Sequence, residues 1–394
     1  MKLPNHPCLL ESLEETIEQQ AESKEEKEDL SGQDREARDS PLSFCVEGVG
    51  PVQCSSWRPS GVSLLVGVPG CGKSILMNTI DVAARHLRRI RQLRDFVMNP
   101  GSRVAISNEE VTWEESHGEA SISLRGQRLR TAKSEESHWA VRDMLQKGQV
   151  GKHNVLSDET ASQWGRMKVE ADEFYRRISG IRMIDSELAR LTDLSYYLTR
   201  MNTLNPAGDN DPVDLPHPAI LLQRWKTDER FSWVESAMAD VFPSTFTRFD
   251  FPERSSGIII DGAVMCGSSR FAITKLSAGM LRTLLLFTAL AHAKRGDTLF
   301  FDGIDEGMHP TVITRALRWV FEREEKIGFT AVFATHSPRM ISSYVHHAGD
   351  ADGVWVMDSS GVRSLDGENG CLDREWLATY NAGSIYGSAY AKMT

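Results

Sequence analysis

The run Gly67-Val68-Pro69-Gly70-Cys71-Gly72-Lys73-Ser74 has residue types and spacing that could handle phosphate chemistry. Glycine at 67, 70 and 72 lets a loop wrap an oxyanion with its own amides, an approach that side chains there would hinder. Lys73 brings a point charge to the β- and γ-phosphates of a nucleoside triphosphate, and the Ser74 hydroxyl is suited to ligating the accompanying Mg2+. A helix opening at this point adds the positive end of its dipole. ATP and Mg2+ are therefore the expected small-molecule partners. Cys71 fills a position that the pattern leaves free, and alkylating it should block nucleotide binding, with ATP protecting.

A carboxylate further along the chain fits the same chemistry. The apolar run Thr298-Leu299-Phe300-Phe301 leads directly into Asp302. A short buried strand that delivers a carboxylate at its C-terminal end is the arrangement that holds magnesium beside a phosphate loop. Asp302 lies 229 residues after Lys73, a long separation for a simple nucleotide-binding domain, and a helical insertion accounts for it.

Three further segments carry a family resemblance. Leu276-Ser277-Ala278-Gly279-Met280-Leu281-Arg282, with an apolar helix over Thr283–Ala293, resembles the LS-x-G-x-x-R signature of ABC-type ATPases in their RecF/SMC-like, AAA-type branch. Asp302-Gly303-Ile304-Asp305-Glu306-Gly307-Met308-His309-Pro310 is similar to that branch's magnesium strand and the turn after it, and Thr335-His336-Ser337-Pro338 to the end of its switch strand. The resemblance covers roughly residues 41–95 and 250–365. It implies an α/β P-loop NTPase, an ABC-type ATPase head with a mixed sheet and a helical insertion. It also implies roles. Ser277 and the Gly279 amide would contact the γ-phosphate bound to another protomer, and His336 the γ-phosphate of its own. Two ATP molecules would then hold a homodimer head to tail, and the union would signal to a separate effector, in DNA repair or anti-phage defence. A serine hydroxyl and a glycine amide at a helix start do form a good anion site. Serine there also serves simply as an N-cap.

The pattern breaks at one position. The family places a glutamate directly after the magnesium-strand aspartate to polarise the attacking water, and this chain has Gly303. Asp305 or Glu306 could reach the water from the following turn. Alternatively hydrolysis is slow and the chain is mainly an ATP-gated switch or scaffold. Losing a general base costs about 100- to 10,000-fold, so weak basal ATPase activity is expected. His309 reads as a structural residue that caps or braces the turn before Pro310.

The elements that must position these residues follow from periodicity. Residues 1–40 are strongly acidic over 11–40 and lack aromatics there, too little apolar surface to offset the entropy of ordering. Residues 41–133 read as the first half of the head: short alternating strands at LSFCVEGV and PVQCSS, a buried strand at GVSLLVG, a helix from Lys73 to about Arg94, a strand at Arg103–Ser107 and a hairpin over Ala120–Ala132. From 134 to 218 the period turns helical, with Ile184, Leu188, Leu191, Leu194 and Leu198 in step, ending in a Pro/Asn/Asp-rich loop. Residues 219–394 read as the second half: a helix over Ile220–Val241, strands near Phe249 and Ile258–Ile260, then alternating helices and strands closed by a hairpin in VWVMDSSGVRSL.

The net charge of −10 does not suggest a general nucleic-acid binder, though a local basic patch remains compatible with it. Arg85, Arg88, Arg89, Arg91 and Arg94 follow the phosphate loop on one helix, the first four on one arc opposite Leu87, Ile90 and Leu93. A solvated face, a nucleic-acid contact and a protein contact all suit that stripe, and the same holds for Arg125, Arg128, Arg130 and Lys133 in the hairpin. The six cysteines are scattered without a CxxC pair, which points to reduced thiols and a cytoplasmic setting rather than a disulfide or zinc site. No apolar run approaches the roughly 20 residues of a membrane span, and glutamates after Leu9 and Leu10 argue against a secretory leader.

Overall fold

A computed structural model describes residues 41–87, 101–116, 119–133, 169–170, 172–184, 217–251, 262–349, 353–358 and 361–365. The chain divides into Met1–Pro41 and Leu42–Thr394, and every described helix and strand belongs to the second part.

The central sheet is built from β3 (Val62–Gly67), β8 (Ile181–Ile184), β12 (Thr298–Asp302), β13 (Thr330–Thr335), β14 (Val354–Asp358) and β15 (Gly361–Ser364), in the order β15-β14-β3-β13-β12-β8. Every pair from β14 to β8 is parallel, and β15 closes the edge as an antiparallel hairpin with β14. Strands covered on both faces read as unbroken apolar runs. Accordingly Val62, Leu64 and Val66 of β3 enter one core and Leu65 the other, while on β12 Leu299 and Phe301 oppose Phe300. Phe301 and Phe333 stack at 4.9 Å across neighbouring strands. Each such fully buried side chain contributes about 1.5–3 kcal/mol.

An antiparallel sheet lies beyond one face. Its order is β2-β1-β4-β5-β6-β7, from β1 (Ser43–Val49), β2 (Val52–Trp57), β4 (Arg103–Ser107), β5 (Val111–Ser116), β6 (Glu119–Leu124) and β7 (Gln127–Lys133). Helix α1 (Lys73–Leu87) contributes Leu76, Met77 and Ile80 to the core shared by Phe44, Val46 and Trp113 of this sheet and Leu65, Phe300 and Val332 of the central one. The other face is covered by α2 (Pro218–Arg224), α3 (Glu229–Val241), α4 (Ala278–His292), α5 (Pro310–Ile327) and α6 (Pro338–Ala348). A small third sheet, β11-β10-β9, comprises β9 (Arg248–Asp250), β10 (Ala263–Cys266) and β11 (Ser269–Ala272) and leads into α4.

The mixed α/β architecture is the expected one, with differences in detail. Ile184 is not the start of a helical run but the last residue of β8, paired in parallel with β12. The helix expected over Ile220–Val241 is two helices, α2 and α3, because the chain leaves helical geometry at Trp225 and restarts when the Asp228 side chain accepts from the Arg230 amide. Strands β5, β10 and β11 add to those expected. Helix α1 is described to Leu87, and Arg88–Arg94 lie outside the described residues, as do Ile258–Ile260 and the segment Leu188–Leu198.

The basic stripe needs correction at its first member. Arg85 is buried and its guanidinium lies 2.6 Å from the Asp81 carboxylate, one helical turn earlier. The other Asp81 oxygen accepts from the Met183 amide of β8 at 3.0 Å. Asp81 thus ties α1 to the edge of the central sheet, and Arg85 is buried against that carboxylate rather than part of an exposed surface. In the hairpin, Arg125 pairs with Glu110 and, at 3.0 Å, with Glu170. Cys45, Cys54, Cys71 and Cys266 are free thiols.

Candidate nucleotide site

Parallel pairing aligns the ends of three neighbouring strands. Leu65 sits opposite Ala334, and Ala334 opposite Asp302. The phosphate loop after β3, the Thr335–Ser337 segment after β13 and Asp302–Gly303 after β12 thus share one end of the sheet, where α/β proteins bind ligands.

The loop has no room for a side chain at Gly67 or Gly72, while Gly70 faces open space and is set apart by its φ of +81°. A Cβ on Gly67 would come within 2.3 Å of the Met357 carbonyl oxygen on β14, and one on Gly72 within 3.0 Å of Pro51 and Val52. Gly72 also has φ of +105°, outside what other residues tolerate. Lys73, only 5% exposed, folds back on the loop: its Nζ donates to the carbonyls of Gly67 at 2.8 Å and Val68 at 3.1 Å and reaches Cys71 Sγ at 3.7 Å. These carbonyls hold the ammonium against the loop. Ser74 is half-buried on the first turn of α1. The cradle, the ammonium and the oxygen donors Ser74 and Asp302 fit a nucleoside triphosphate with a hard cation such as Mg2+.

The turn after Asp302 is tightly organised. The Gly303 amide donates to the Ala334 carbonyl at 3.1 Å, and the Glu306 amide to the Gly303 carbonyl at 3.1 Å. Gly303 has φ of +58°. A Cβ there would meet Glu306 Oε1 at 2.9 Å and Cδ at 3.0 Å, so the Glu306 carboxylate lies across the space that a side chain at 303 would enter. Asp305 points the other way: Thr335 Oγ1 donates to Asp305 Oδ2 at 2.8 Å and itself accepts from the Ser337 amide at 2.9 Å. Burial raises the Asp305 pKa above the usual carboxylate range, opposed chiefly by the Thr335 hydrogen bond and also by the nearby His336. Asp305, Glu306, Met308, His336 and Arg339 line a cleft of about 340 Å³. His336 is exposed.

The signature segment opens α4. Ser277 is exposed and caps the helix, its Oγ accepting from the Met280 amide at 3.3 Å. Capping and phosphate contact are thus both open to it. The start of α4 is clamped to the turn after Asp302. A Cβ on Gly279 would stand 3.0 Å from the Gly307 carbonyl. Arg282 donates to the Glu306 backbone carbonyl and reaches Glu306 Oε2 at 3.2 Å. His309 caps α5, accepting from the Thr311 amide at 3.3 Å, which is the structural role expected of it.

The Thr335–Asp305 and Arg282–Glu306 pairs are not legible in the sequence. Partners 24 and 30 residues apart leave no local signal, and the arginine ending the signature is the one available hint.

The fold and site together define a mixed α/β domain with a glycine-rich phosphate-type loop at one end of its parallel strands. Residues 217–342 match a family model described as "AAA domain, putative AbiEii toxin, Type IV TA system". That segment contains Leu276–Arg282, Asp302–Pro310 and Thr335–Pro338, and it begins well after the phosphate loop. Among solved structures, an SMC head bound to the C-terminal winged-helix domain of ScpA is similar at a TM-score of 0.45 and 15% identity, covering 83% of this chain and 97% of that one. An SMC head domain from Thermotoga maritima gives 0.43 and 13%, covering 83% and 100%. An SMC head with an extended coiled coil, bound to the C-terminal domain of ScpA from Pyrococcus furiosus, gives 0.42 and 14%, covering 82% and 96%. No curated protein matches the chain. Among the described residues, no helix is long and apolar enough to cross a membrane.

Proposed function

We propose that the chain binds ATP with Mg2+, hydrolyses it slowly and dimerises on it. Gly67, Gly70, Gly72 and Lys73 wrap the phosphates, and Ser74 and Asp302 hold the metal ion. Ser277 and Gly279 meet the γ-phosphate bound to the mate, and His336 senses the γ-phosphate of its own protomer. The observation that carries this reading is the clamp between the start of α4 and the turn after Asp302: Arg282 grips Glu306 while Ser277 stays exposed at the helix tip. A change at one nucleotide is thereby passed to the surface that touches the other.

Glu306 serves as the water-polarising carboxylate in place of the side chain missing at Gly303, since its carboxylate covers that space. Asp305 is a positioning residue that sets the switch strand through Thr335. The output is a contact with a separate effector in a cytoplasmic defence or repair setting; the toxin–antitoxin wording of the matched family model is in keeping with defence. The alternative, a regulatory scaffold without useful turnover, is favoured by Gly303 alone.

Two measurements on the purified chain separate these. Light scattering should show a doubling of mass with ATP–Mg2+ and none with ADP. Single-turnover assays should show hydrolysis well below a typical enzyme's roughly 10 per second. Mass that stays monomeric at saturating ATP refutes the clamp, and dimer formation without any hydrolysis leaves the scaffold reading.

A further inference from the structure

At the end of the central sheet opposite Lys73, where β12 and β13 begin, the last turn of α4, the start of α3 and the C-terminal part of α5 border an open surface pocket of about 580 Å³. It is lined by Asp228, Glu229, Arg230, His292, Lys294 and Arg323. The nucleotide chemistry uses none of these residues.

Arg323 is the anomaly. It is 7% exposed, its Nε is buried without a hydrogen-bond partner, and it makes no ion pair among the described residues. Its guanidinium lies 4.8 Å from the centre of the Trp233 ring, a cation–π contact that uses one flat face and leaves the in-plane donors unspent. Burial makes the guanidinium less willing to hold its charge, with Glu229 only partly compensating. Arg230 differs: it lies 4.7 Å from the centre of the Trp225 ring and is bonded to Asp228 at 2.5 Å. A buried, unpaired cation is among the costlier features a fold can carry.

The cavity size suits a ligand or an inserted side chain. Its charges select the class. Arg323, Lys294 and Arg230 against Asp228 and Glu229 leave a single positive charge. A monoanion balances that, whereas a phosphate dianion overshoots it. The planar fork of Arg323 matches a carboxylate with two parallel N–H···O bonds. We propose that this cavity is a carboxylate-binding site centred on Arg323, filled either by a free monocarboxylic acid or by an acidic side chain or C-terminus of a partner protein. The site is independent of the nucleotide reading and stands or falls without it.

The test monitors thermal unfolding of the full chain in sodium propionate, in a capped Ala-Glu-Ala peptide and in sodium phosphate, each against sodium chloride at equal ionic strength. Propionate or the peptide should raise the midpoint saturably. Arg323→Met should abolish that rise and, by removing an unpaired buried cation, raise the midpoint in chloride alone. Protection by the peptide at a tenfold lower concentration than propionate identifies a protein source, and the reverse a free acid. Stronger protection by phosphate overturns the carboxylate assignment. A lower midpoint for Arg323→Met in chloride, with its propionate response intact, makes Arg323 a structural residue and overturns the site. Calorimetric titration of the unmutated chain with propionate and with the peptide gives a readout free of any folding defect, and no heat from either at millimolar concentration also overturns the proposal.

Discussion

Gly303 and Glu306 behave as one unit. A carboxylate three residues on folds back over the glycine, and the glycine's φ of +58° lets the turn tighten enough to bring it there. Placing a glutamate at 303 would cost about 1–3 kcal/mol of backbone strain and would also displace the Glu306 side chain. Gly303→Glu is therefore expected to leave turnover no higher, although it restores the residue type usual at that position. Glu306→Gln keeps the shape and removes the base, so single-turnover hydrolysis should fall about 100-fold or more while ATP affinity, measured by equilibrium binding, stays within about twofold of the original because the phosphate loop is untouched. A Gly303→Glu variant that hydrolyses faster than the parent, or a Glu306→Gln variant at full rate, removes Glu306 from the chemistry.

At the scale of elements, α4 couples two otherwise separate pieces of backbone. Its N-cap holds Ser277 outward, and its second turn carries Arg282 onto Glu306. Arg282→Ala should leave ATP binding intact, since the phosphate loop is untouched, while loosening the hold on Glu306. Hydrolysis and ATP-driven dimerisation should both drop, by about tenfold or more if the clamp transmits as much as about 1.4 kcal/mol. Unchanged dimerisation would show that α4 finds its place without the clamp. The strands that carry the site are legible because burial on both faces writes apolar runs at Val62–Val66, with Ser63 the one polar residue, Leu299–Phe301 and Ala331–Ala334. β8 is not. It has only four residues, and Ile184 happens to fall in helical step with Leu188 and Leu191. β5 carries a readable alternation in Val111 and Trp113, but its glutamates mask it. Arg85 shows a different failure. Its angular position on the helix is plain from the spacing, yet the acid at the preceding i−4 position, Asp81, is the sign that this arginine is engaged inside the fold. The clamp pairs are beyond reach because they depend on which strands become neighbours, a property of topology rather than of local sequence.

For the whole molecule, the decisive question is whether each nucleotide is completed by a second copy. If it is, lesions in the two halves of the site complement each other. Lys73→Ala destroys the phosphate loop but keeps Ser277, and Ser277→Arg places a bulky cation at the helix tip but keeps the loop. Each variant alone forms dimers in which both composite sites are broken. In a mixed dimer, one site collects both lesions and the other collects none. Random pairing of equal amounts makes about half the dimers mixed, each with one sound site in a closed two-fold arrangement, so mixing should restore about a quarter of the parental hydrolysis if the sites act independently. A site complete within one chain predicts a different result. Lys73→Ala would be inactive, Ser277→Arg would be active or inactive by itself, and mixing would yield the mean of the two. Activity above that mean, appearing only on mixing and only with ATP, is what a head-to-tail arrangement alone supplies.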